Sequence, residues 1–473
     1  MNSHPLPSIR LEQQARLLPA DVETPVSLFM GMRRKGGILL ESTEVDGRWG
    51  RYSVMASDML LTIRCRQGTL ALETEDARLA PLKVLEGTPF VEGLRQVLRA
   101  LHVIAPPHMN LPPLTRAVYG YLGFGMAGLF SPKLAASLPP EQAECTLVLP
   151  RTVVLADHLY NRLCQISIGE HEQLRGEHGT ADTRIAVGPV TASPDGEGYK
   201  ANVRRIQSLL GQGEAIQVVP SVRFSASFSG DAFSLYRRIR TVNPSPYMFY
   251  MQFPHMTLLG ASPEVMVRCT GGMLQVSPIA GTRARGATGA EDARLADELV
   301  HDPKERAEHV MLVDLGRNDL GRLAKPGSVR VDRLMDIERF SHVMHMTSRV
   351  TAELQPGMDA LDVLAATFPA GTVSGAPKVR AMELIAAVER QPRGPYAGCI
   401  GWLGLDKDSV HLDTGITIRS AWLRDGVLNW QAGGGIVHDS DPDAEWMEVC
   451  NKSAVMRLVL NAVEGESHVS ADR

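Results

Sequence analysis

Two segments of the chain combine a helix start with paired glutamates, and they constrain how the second half of the chain can fold. Asp302-Pro303 leads into Glu305 and Glu308, and Asp441-Pro442 leads into Glu445 and Glu448. Asp is a favoured N-cap and Pro a favoured first helical residue, so each segment predicts a helix start. Glutamates three apart share one helix face. If the two faces meet, four carboxylates converge, and a hard divalent cation such as Mg²⁺ is the natural partner for them.

The same residues also allow a purely structural interpretation. Glu305 stands three residues after Asp302 and could complete a capping box, while Glu448 and Lys452 have the i, i+4 spacing of an exposed ion pair. One such glutamate pair alone would favour a solvated helix face. Two pairs, each behind Asp-Pro, favour a metal site formed by Glu305, Glu308, Glu445 and Glu448.

Size and composition describe a globular protein with no electrostatic signature for nucleic acid or anionic membrane. The 473 residues, 44% apolar and 22% charged, suffice for two domains or one large composite domain. The net charge is only −4, so an anion must be bound by a local pocket. Six scattered cysteines without C-x-x-C or zinc spacing predict reduced thiols. With no apolar leader and no long apolar run, we expect a cytoplasmic protein.

A polar, glycine-rich segment at 170–197 marks the expected domain boundary. Before it the chain reads mainly as strands broken by turns, and beyond it amphipathic helices and hairpins alternate. We therefore predict one domain over residues 1–190 and a second over residues 191–473. The second contains both glutamate pairs.

Local turn signals in the second part indicate the type of sheet. Gly271-Gly272 and Asp425-Gly426 are tight-turn dipeptides between alternating segments, and each predicts a hairpin. Residues 216–224 read as a further single strand. Because strands and helices alternate without a βαβ rhythm, we predict an α+β fold in which antiparallel sheets carry helices on their outer faces.

Two glycine-containing segments and one carboxylate could form a substrate site beside the paired glutamates. The pair Gly281-Thr282 and the run Gly433, Gly434 and Gly435 each follow a predicted hairpin. Successive backbone N–H groups there could form an anion-binding nest, or the glycines could simply end strands. Glu264 begins the first hairpin and could act as a general acid in the same cavity, or could be an ordinary exposed carboxylate.

Other candidates are cations and polar side chains near these segments. Arg419 and Lys452 are the expected partners of substrate carboxylates, and Tyr396 lies in a neighbouring segment. His345 on its own is more typical of a core histidine than of a catalyst. The segment 371–378, GTVSGAPK, superficially suggests a phosphate-binding loop, but it lacks the G-K-[ST] ending and does not predict nucleotide binding.

As a set, the motifs of residues 195–460 resemble those of the chorismate-utilising enzymes. They occur in that family's order and are highly specific together: Ser262-Pro-Glu264, Pro278-Ile-Ala-Gly-Thr282-Arg283, Lys304-Glu305-x-x-Glu308-His309, Asp314-Leu-Gly-Arg-Asn-Asp319, Gly371 to Lys378, Gly433-Gly-Gly-Ile436 and Glu445-x-x-Glu448. The resemblance implies a layered sandwich of two largely antiparallel β-sheets with helices on the outer faces, in a composite two-domain arrangement.

The resemblance also implies a role for each candidate residue. Glu308 and Glu448 would ligate Mg²⁺ directly, and Glu305 and Glu445 would support it through water. The metal would bind the ring carboxylate of chorismate, together with Gly281, Thr282 and Lys452. The enolpyruvyl carboxylate would be bound by Tyr396, Arg419, Gly433, Gly434 and Gly435. Glu264 would protonate the departing 4-hydroxyl, and His345 would lie beside the ring during pyruvate elimination.

Two positions distinguish the branches of this family. Isochorismate and salicylate synthases, which add water, carry a Lys base where this chain has Gln217, and an uncharged Gln suits ammonia. Aminodeoxychorismate synthases are similar but typically carry a nucleophilic Lys at the position of Ala280. The resemblance implies amination at C2 of chorismate followed by pyruvate elimination to anthranilate. Aminodeoxychorismate formation is the alternative, and a non-catalytic regulator that binds a metal or an amino acid on the same fold is an alternative of another class.

The resemblance extends to regulation and partners. Residues 39–42 and 243–248 are similar to the paired segments that bind L-tryptophan in inhibited members, which implies an inhibitor pocket and a regulatory role for residues 1–190. Its residues would be Leu40, Glu41, Ser42, Pro246, Tyr247 and Met248. The alternatives are two structural turns or a constitutively bound tryptophan. No cysteine lies in an amidotransferase nucleophile elbow, so a separate glutamine amidotransferase subunit is expected to supply ammonia in a heterodimer or heterotetramer.

Overall fold

The strands of the chain are numerous and pair mostly with antiparallel neighbours. The computed structural model describes residues 6–33, 36–42, 50–177, 185–339 and 343–469, with the backbone alone for 461–469. In chain order the strands are β1 (Ile9–Leu18), β2 (Gly37–Glu41), β3 (Tyr52–Arg66), β4 (Thr69–Glu73), β5 (Leu101–Ile104), β6 (Ala117–Leu122), β7 (Cys145–Asp157), β8 (Arg162–Ile168), β9 (Ile185–Val187), β10 (Thr191–Ser193), β11 (Gln217–Val218), β12 (Ser221–Gly230), β13 (Tyr247–Phe253), β14 (Met256–Ser262), β15 (Val265–Thr270), β16 (Met273–Val276), β17 (Ile279–Ala284), β18 (Arg330–Arg339), β19 (Val343–Glu353), β20 (Gly375–Ala376), β21 (Cys399–Gly404), β22 (Leu412–Ile416), β23 (Ser420–Arg424) and β24 (Val427–Gly433).

The helices lie between these strands, and short 3-10 turns join several of them. The α-helices are α1 (Pro25–Met32), α2 (Phe90–Ala100), α3 (Ala127–Phe130), α4 (Gly196–Gly211), α5 (Ala232–Val242), α6 (Gly289–His301), α7 (Pro303–Gly321), α8 (Ala360–Thr367), α9 (Lys378–Glu389) and α10 (Pro442–Val469). The 3-10 turns cover Ala77–Leu85, Pro113–Thr115, Phe124–Met126, Pro132–Leu134, Pro140–Gln142 and Gly371–Val373.

Both predicted Asp-Pro helix starts are confirmed. Asp302 precedes α7 and its Oδ1 accepts hydrogen bonds from the backbone N–H groups of Lys304 and Glu305, at 2.9 and 3.1 Å. Asp441 precedes α10 and caps it in the same way through the next residues. These bonds satisfy N–H groups that a helix start leaves without an intrahelical partner. The two glutamate pairs therefore occupy the first two turns of two separate helices.

Both predicted hairpins are also confirmed, and one predicted strand is not continuous. Strands β15 and β16 pair around Gly271-Gly272, and β23 and β24 pair around Asp425-Gly426. The single strand expected over 216–224 is divided into β11 and β12 with Pro220 between them. Proline lacks an N–H for a sheet ladder, and β11 leaves to pair with β20 while β12 pairs with β24.

Antiparallel pairing joins strands from the whole length of the chain. Within the described residues, 22 strands form one continuous hydrogen-bonded network, and β11 with β20 forms a separate small sheet. Pairs such as β2 with β13 and β6 with β21 cross residue 190, while β1 with β5 is parallel. The predicted α+β class with largely antiparallel sheets and packed helices is confirmed. The domain division at 190 stays a prediction.

The interior is built from the apolar faces of these strands and helices. One large cluster of buried residues extends from Ile9 to Leu460 and includes the ring group Phe29, Phe233 and Tyr250. The six cysteines are all free thiols, as expected. Among the described residues, none of the helices has both the length and the apolarity that a membrane crossing requires.

Candidate active site

A cavity of ≈ 820 Å³ collects nearly every residue that the sequence singled out for chemistry. Its walls come from β17, α7, the start of α10, the end of β24 and the segments around 264, 372, 396 and 418. The predicted site residues on its walls are Glu264, Gly281, Thr282, Glu305, Glu308, His345, Tyr396, Arg419, Gly433, Gly435, Glu445, Glu448 and Lys452. Gly434 lies between two of these. Segments distant in sequence thus meet around one space large enough for a small dicarboxylate.

The first turns of α7 and α10 face each other across one end of this cavity. Burial raises the pKa of Glu308, and the negative charges of Glu305 and Glu448 raise it further, while the Gln217 amide opposes this. That amide Nε2 donates to Glu308 Oε1 at 3.3 Å. Burial likewise raises the pKa of Glu445, with a contribution from Glu448. The two helices therefore bring their carboxylates close enough to repel one another.

One glutamate of each pair has a basic partner. Glu305 pairs with Arg283 at 3.2 Å, and Glu448 pairs with Lys452 at 2.6 Å. The capping-box alternative is not realised at Glu305, whereas the ion pair considered for Glu448 is present. In this arrangement no three carboxylate, imidazole or thiol side chains in the described part of the chain are grouped closely enough to hold a metal ion.

The donor set nevertheless fits an oxygen-preferring cation. Glu445 Oε1 accepts from the Ser440 hydroxyl at 2.7 Å, whereas its Oε2 is buried and has no hydrogen-bond partner among the described residues. A methyl group at Gly434 would lie 3.0 Å from that oxygen, so glycine leaves the carboxylate accessible. A buried carboxylate oxygen without a donor is costly unless a cation or water meets it.

Glu264 lies on the cavity wall, between β14 and β15. Its carbonyl accepts from the N–H of Ile416 at 2.9 Å, which fixes the backbone. The residue is only 9% exposed. Burial raises the pKa of the Glu264 carboxyl to about 7, with the Thr372 hydroxyl and the Lys452 charge opposing the rise. A carboxylic acid that stays protonated near neutral pH can donate a proton to a leaving group.

The segment before the first glutamate pair supplies a close backbone approach. Gly281 has φ of +70°, and a β-bulge interrupts the pairing of β17 with β19 between Ala280 and Thr282. A methyl group at Gly281 would lie 3.0 Å from Glu305 Oε2 and 2.8 Å from Leu299 Cδ1. Only glycine fits this left-handed, crowded position.

His345 lies across from this bulge on β19. The Thr282 hydroxyl is 3.0 Å from its Nδ1, and the Gly281 carbonyl is 3.4 Å from the same atom. Burial lowers the pKa of His345, so the imidazole is neutral at physiological pH. The histidine therefore faces the cavity rather than filling a core.

On the cavity wall around β24 and α10, Lys452 of α10 meets Arg419, which precedes β23, and Tyr396, which precedes β21. Lys452 Nζ donates to the Gly433 carbonyl at 3.1 Å, and Arg419 donates to the Lys452 carbonyl at 3.3 Å. A methyl group at Gly433 would lie 3.2 Å from the Tyr396 hydroxyl. Burial raises the pKa of Tyr396 to about 12, which keeps the phenol a hydrogen-bond donor. This wall suits a carboxylate ligand.

The sequence did not single out every residue of the cavity. Thr372 and Val373 line it beside Glu264, and Gln431 lines it near Gly433. Thr372 belongs to the 371–378 motif, whose resemblance to the family was noted without a role for any of its residues. The motif itself was therefore a signal that its side chains could reach the site.

The two segments predicted to form an inhibitor pocket are adjacent strands. Leu40 pairs with Phe249 and Glu41 with Met248 in the ladder of β2 and β13. The Glu41 carboxylate is already occupied, since it accepts from the Tyr236 hydroxyl and from Arg240. Ser42 Oγ is buried and makes no hydrogen bond with any described residue.

The second of these segments also adjoins the Glu264 loop. Tyr247 follows Pro246 in the chain, and its hydroxyl donates to Asp413 at 2.6 Å. In the ladder of β13 and β14, Tyr247 is the partner of Ser262. The segments predicted to bind an inhibitor and the strands on either side of Glu264 therefore share one sheet.

Comparison with known proteins agrees with this geometry. A family model described as chorismate binding enzyme matches residues 68–458. The chain is 40% identical to anthranilate synthase component 1 of Aquifex aeolicus (95% of this chain, 94% of that one) and 36% identical to that of Bacillus subtilis (96% and 93%). Anthranilate synthase component I from Streptococcus pneumoniae superposes with a TM-score of 0.73 at 29% identity, covering 93% and 99%.

A more distant relative shares the fold alone. The menaquinone-specific isochorismate synthase from Escherichia coli superposes with a TM-score of 0.74 at 20% identity, over 97% of this chain and 96% of that one. The curated relatives, in contrast, match at 35–40% identity over nearly their full length. The chain belongs to the chorismate-binding enzyme family, within which it groups with anthranilate synthase component 1.

Proposed function

We propose that this chain is a lyase that aminates chorismate at C2, releases the 4-hydroxyl as water, and then eliminates pyruvate to form anthranilate. The observation that carries the proposal is the convergence of a buried acid of pKa about 7, two glutamate pairs and a Tyr, Arg and Lys wall on one cavity. Gln217 and Ala280 favour ammonia as nucleophile and disfavour a lysine adduct on the ring.

In the first half-reaction, Glu264 donates its proton to the oxygen on C4. Ammonia forms the new bond at C2, both ring double bonds shift by one position, and the C4–O bond breaks with release of water. The new ammonium group loses one proton, which balances the proton given by Glu264. Burial of Glu264 keeps that proton in place near neutral pH until the hydroxyl is present.

In the second half-reaction, the C2 proton is removed and the bond from the ring carbon to the enolpyruvyl oxygen breaks. The electrons of the C2–H bond complete the aromatic ring, and pyruvate leaves as its enolate, which takes up one proton at its methylene carbon and so balances the proton lost from C2. His345 is neutral and is held by Thr282 and Gly281, so it lies beside the ring in this step. Tyr396, Arg419 and the glycines from Gly433 orient the enolpyruvyl carboxylate.

The glutamate pairs are proposed to hold Mg²⁺, with Glu308 and Glu448 as direct ligands and Glu305 and Glu445 acting through water. The support is an oxygen-only donor set on two facing helices, together with Glu445 Oε2, which has no hydrogen-bond partner in the described part of the chain. When bound, the metal supplies positive charge that offsets the glutamates and attracts the ring carboxylate. Gly281, Thr282 and Lys452 bind the same carboxylate from the protein side.

The name component 1 of the relatives implies a partner component. We propose that the partner is a glutamine amidotransferase subunit that supplies ammonia in a hetero-oligomer, and that free ammonia replaces it in vitro. The six cysteines are all unpaired thiols, which is consistent with the proposed location in the cytoplasm.

A direct assay tests this function. Purified protein is incubated with chorismate, Mg²⁺ and an ammonium salt at high pH, and anthranilate fluorescence and pyruvate are followed together. Equimolar anthranilate and pyruvate that require Mg²⁺ are expected. A non-fluorescent amino adduct without pyruvate would instead identify an aminodeoxychorismate synthase, and no consumption of chorismate would leave only a binding protein.

Feedback inhibition by L-tryptophan is proposed at Leu40, Glu41, Ser42, Pro246, Tyr247 and Met248. The support is that β2 and β13 are adjacent and that Ser42 Oγ makes no hydrogen bond with any residue that the structure describes. Glu41 is expected to act by fixing β2 through the bonds of its carboxylate to Arg240 and Tyr236, rather than by binding the inhibitor with that carboxylate.

Replacing Ser42 by alanine is expected to weaken this inhibition. Loss of one hydrogen bond to the inhibitor should raise the half-inhibitory tryptophan concentration about tenfold, while kcat stays at the wild-type level. The measurement is anthranilate formation over a tryptophan titration. Ser225→Ala, which instead loses a hydrogen bond to Asn429, is the matched control, and tryptophan should inhibit it as it inhibits the wild type. Unchanged inhibition in Ser42→Ala would remove Ser42 from the pocket.

A further inference from the structure

Directly behind the Tyr396 wall lies an ion pair that takes no part in the reaction described above. Glu389 ends α9, Arg390 has left-handed φ of 53°, and the chain turns so that Arg393 folds back onto Glu389. The guanidinium donates from Nε at 2.9 Å and from one terminal nitrogen at 2.6 Å. The side chains are 1% and 2% exposed, so the pair is fully removed from water.

The remaining hydrogen bonds of the pair all go to segments that line the cavity. Arg393 donates to the Val373 carbonyl at 2.9 Å and to the Val219 carbonyl at 2.6 Å. Glu389 Oε1 accepts from the Ser221 N–H at 2.8 Å and from its hydroxyl at 2.7 Å. Val373 and Val219 are themselves cavity residues. Through Val219 the pair reaches the strand of Gln217, and through Val373 it reaches Thr372 beside Glu264.

The Ser221 contact extends to the glycine wall. Ser221 is the ladder partner of Gly433 in β12 and β24, and its hydroxyl accepts from the Gln431 amide at 2.7 Å. Arg393 also lies over two aromatic rings, with its guanidinium carbon 5.6 Å from the Tyr396 centroid and 4.5 Å from that of Phe124. One pair of charges therefore touches three wall segments directly, around 219–221, 373 and 396, and reaches the fourth, around 431–433, through Ser221.

An ion pair so deeply buried contributes little net stability, because the cost of removing both charges from water offsets their attraction. What it supplies is fixed direction, since a planar guanidinium with five N–H groups can satisfy a carboxylate and two carbonyls only in one arrangement. We propose that Glu389 and Arg393 form the positioning pair of the chorismate site, holding Tyr396, Thr372 and the strand of Gln217 in register. The roles of those three residues rest on the proposed function.

The test replaces both charges together. In Glu389→Leu/Arg393→Met the pair becomes apolar and no single charge is left buried, so the melting temperature should stay within about 4 °C of wild type. Chorismate affinity, measured by titration, and kcat should both fall, and kcat/KM should fall about 100-fold, because misplacement near 1 Å costs that much. Wild-type affinity and kcat/KM in this folded variant would overturn the proposal.

A matched control separates positioning from general damage. Arg116 and Asp406 form another arginine–carboxylate pair, at 2.8 Å and away from the cavity walls. Arg116→Met/Asp406→Leu should keep wild-type affinity and turnover. If it loses them as the first variant does, the effect is not specific to the cavity and the proposal is refuted.

A single substitution serves if the double variant does not fold. Arg393→Lys keeps the charge but cannot form the fork to Glu389 and both carbonyls. About a tenfold loss of chorismate affinity at an unchanged melting temperature is expected, and wild-type affinity would refute the pair. Chorismate binding belongs to the whole family. If the wild-type protein binds chorismate but forms no anthranilate, the proposed reaction is refuted, but the comparison of chorismate affinities still tests whether Glu389 and Arg393 position the site.

Discussion

Replacing Glu264 by glutamine is expected to lower kcat for anthranilate formation about 10³-fold. Glutamine keeps the size of the side chain but cannot give a proton to the 4-hydroxyl, so the C4–O bond must break without acid assistance. Chorismate should still bind, since both of its carboxylates are held elsewhere in the cavity. Steady-state kinetics with ammonium salt, with KM compared between variants, measures this. A kcat within a few-fold of wild type would assign the acid role to another group.

The same substitution should make the folded protein more stable at alkaline pH. Burial raises the pKa of Glu264 from 4.5 to about 7, so between those values the folded chain binds a proton that the unfolded chain releases. Stability from this group is complete below pH 4.5 and is lost as the pH rises through 7.

Glutamine has no proton to lose, and at pH 8 it should raise the unfolding free energy by on the order of 2 kcal/mol. Wild type and Glu264→Gln should therefore melt alike near pH 4 and diverge by pH 8. Parallel melting curves at both pH values would show that Glu264 titrates normally. This combination of lost turnover and gained stability is what distinguishes a strained acid from a structural carboxylate.

Replacing either proposed metal ligand, Glu308 or Glu448, by glutamine is expected to abolish measurable turnover, a loss of about 10³-fold or more. An amide removes one negative charge from the four glutamates and weakens the binding of Mg²⁺, so the ring carboxylate of chorismate loses its counter-charge. Loss of the Glu448 ion pair with Lys452 contributes little, because both side chains are more than a third exposed. Turnover over an Mg²⁺ titration measures the effect.

The supporting glutamates should behave in a graded way. Because Glu305 and Glu445 are proposed to reach the metal through water, Glu305→Gln and Glu445→Gln are expected to lower turnover about 10–100-fold. Higher Mg²⁺ should recover part of this loss. Asp314→Asn is the matched control, since Asp314 lies on α7 but pairs with Arg317 at the surface. Equal and mild losses at all four glutamates would mean that the carboxylates do not hold a metal.

Local signals predicted the elements of this fold better than their arrangement. Asp302 and Asp441 fix two helix starts by short-range hydrogen bonds, and Gly271-Gly272 closes a hairpin by its own backbone freedom, so a single sequence suffices for these. The break at Pro220 was missed because β11 is defined by its partners, β20 and Ile436, which are distant in sequence. Long-range pairing leaves no local pattern.

The candidate site shows the same division. The residues that would touch substrate or metal belong to recognisable motifs, and the cavity collects them. The residues that hold these side chains in place do not belong to recognisable motifs. Arg393 lies between prolines and beside a glycine, in a segment whose composition carries no sign of burial, and only the structure shows its side chain buried against Glu389. A side chain that acts through its direction, rather than through its chemistry, has no sequence signature of its own.

The pairing of Tyr247 with Ser262 bears on how a regulatory ligand would reach the reaction. Ser262 stands two residues before Glu264, so a single rung of a β-ladder separates the proposed effector segment from the proton donor. No relay through the protein interior is needed across so short a span. A peptide displacement at Tyr247 would tilt the acid relative to C4 directly, and inhibition of this kind would appear as a change in turnover before any change in chorismate affinity.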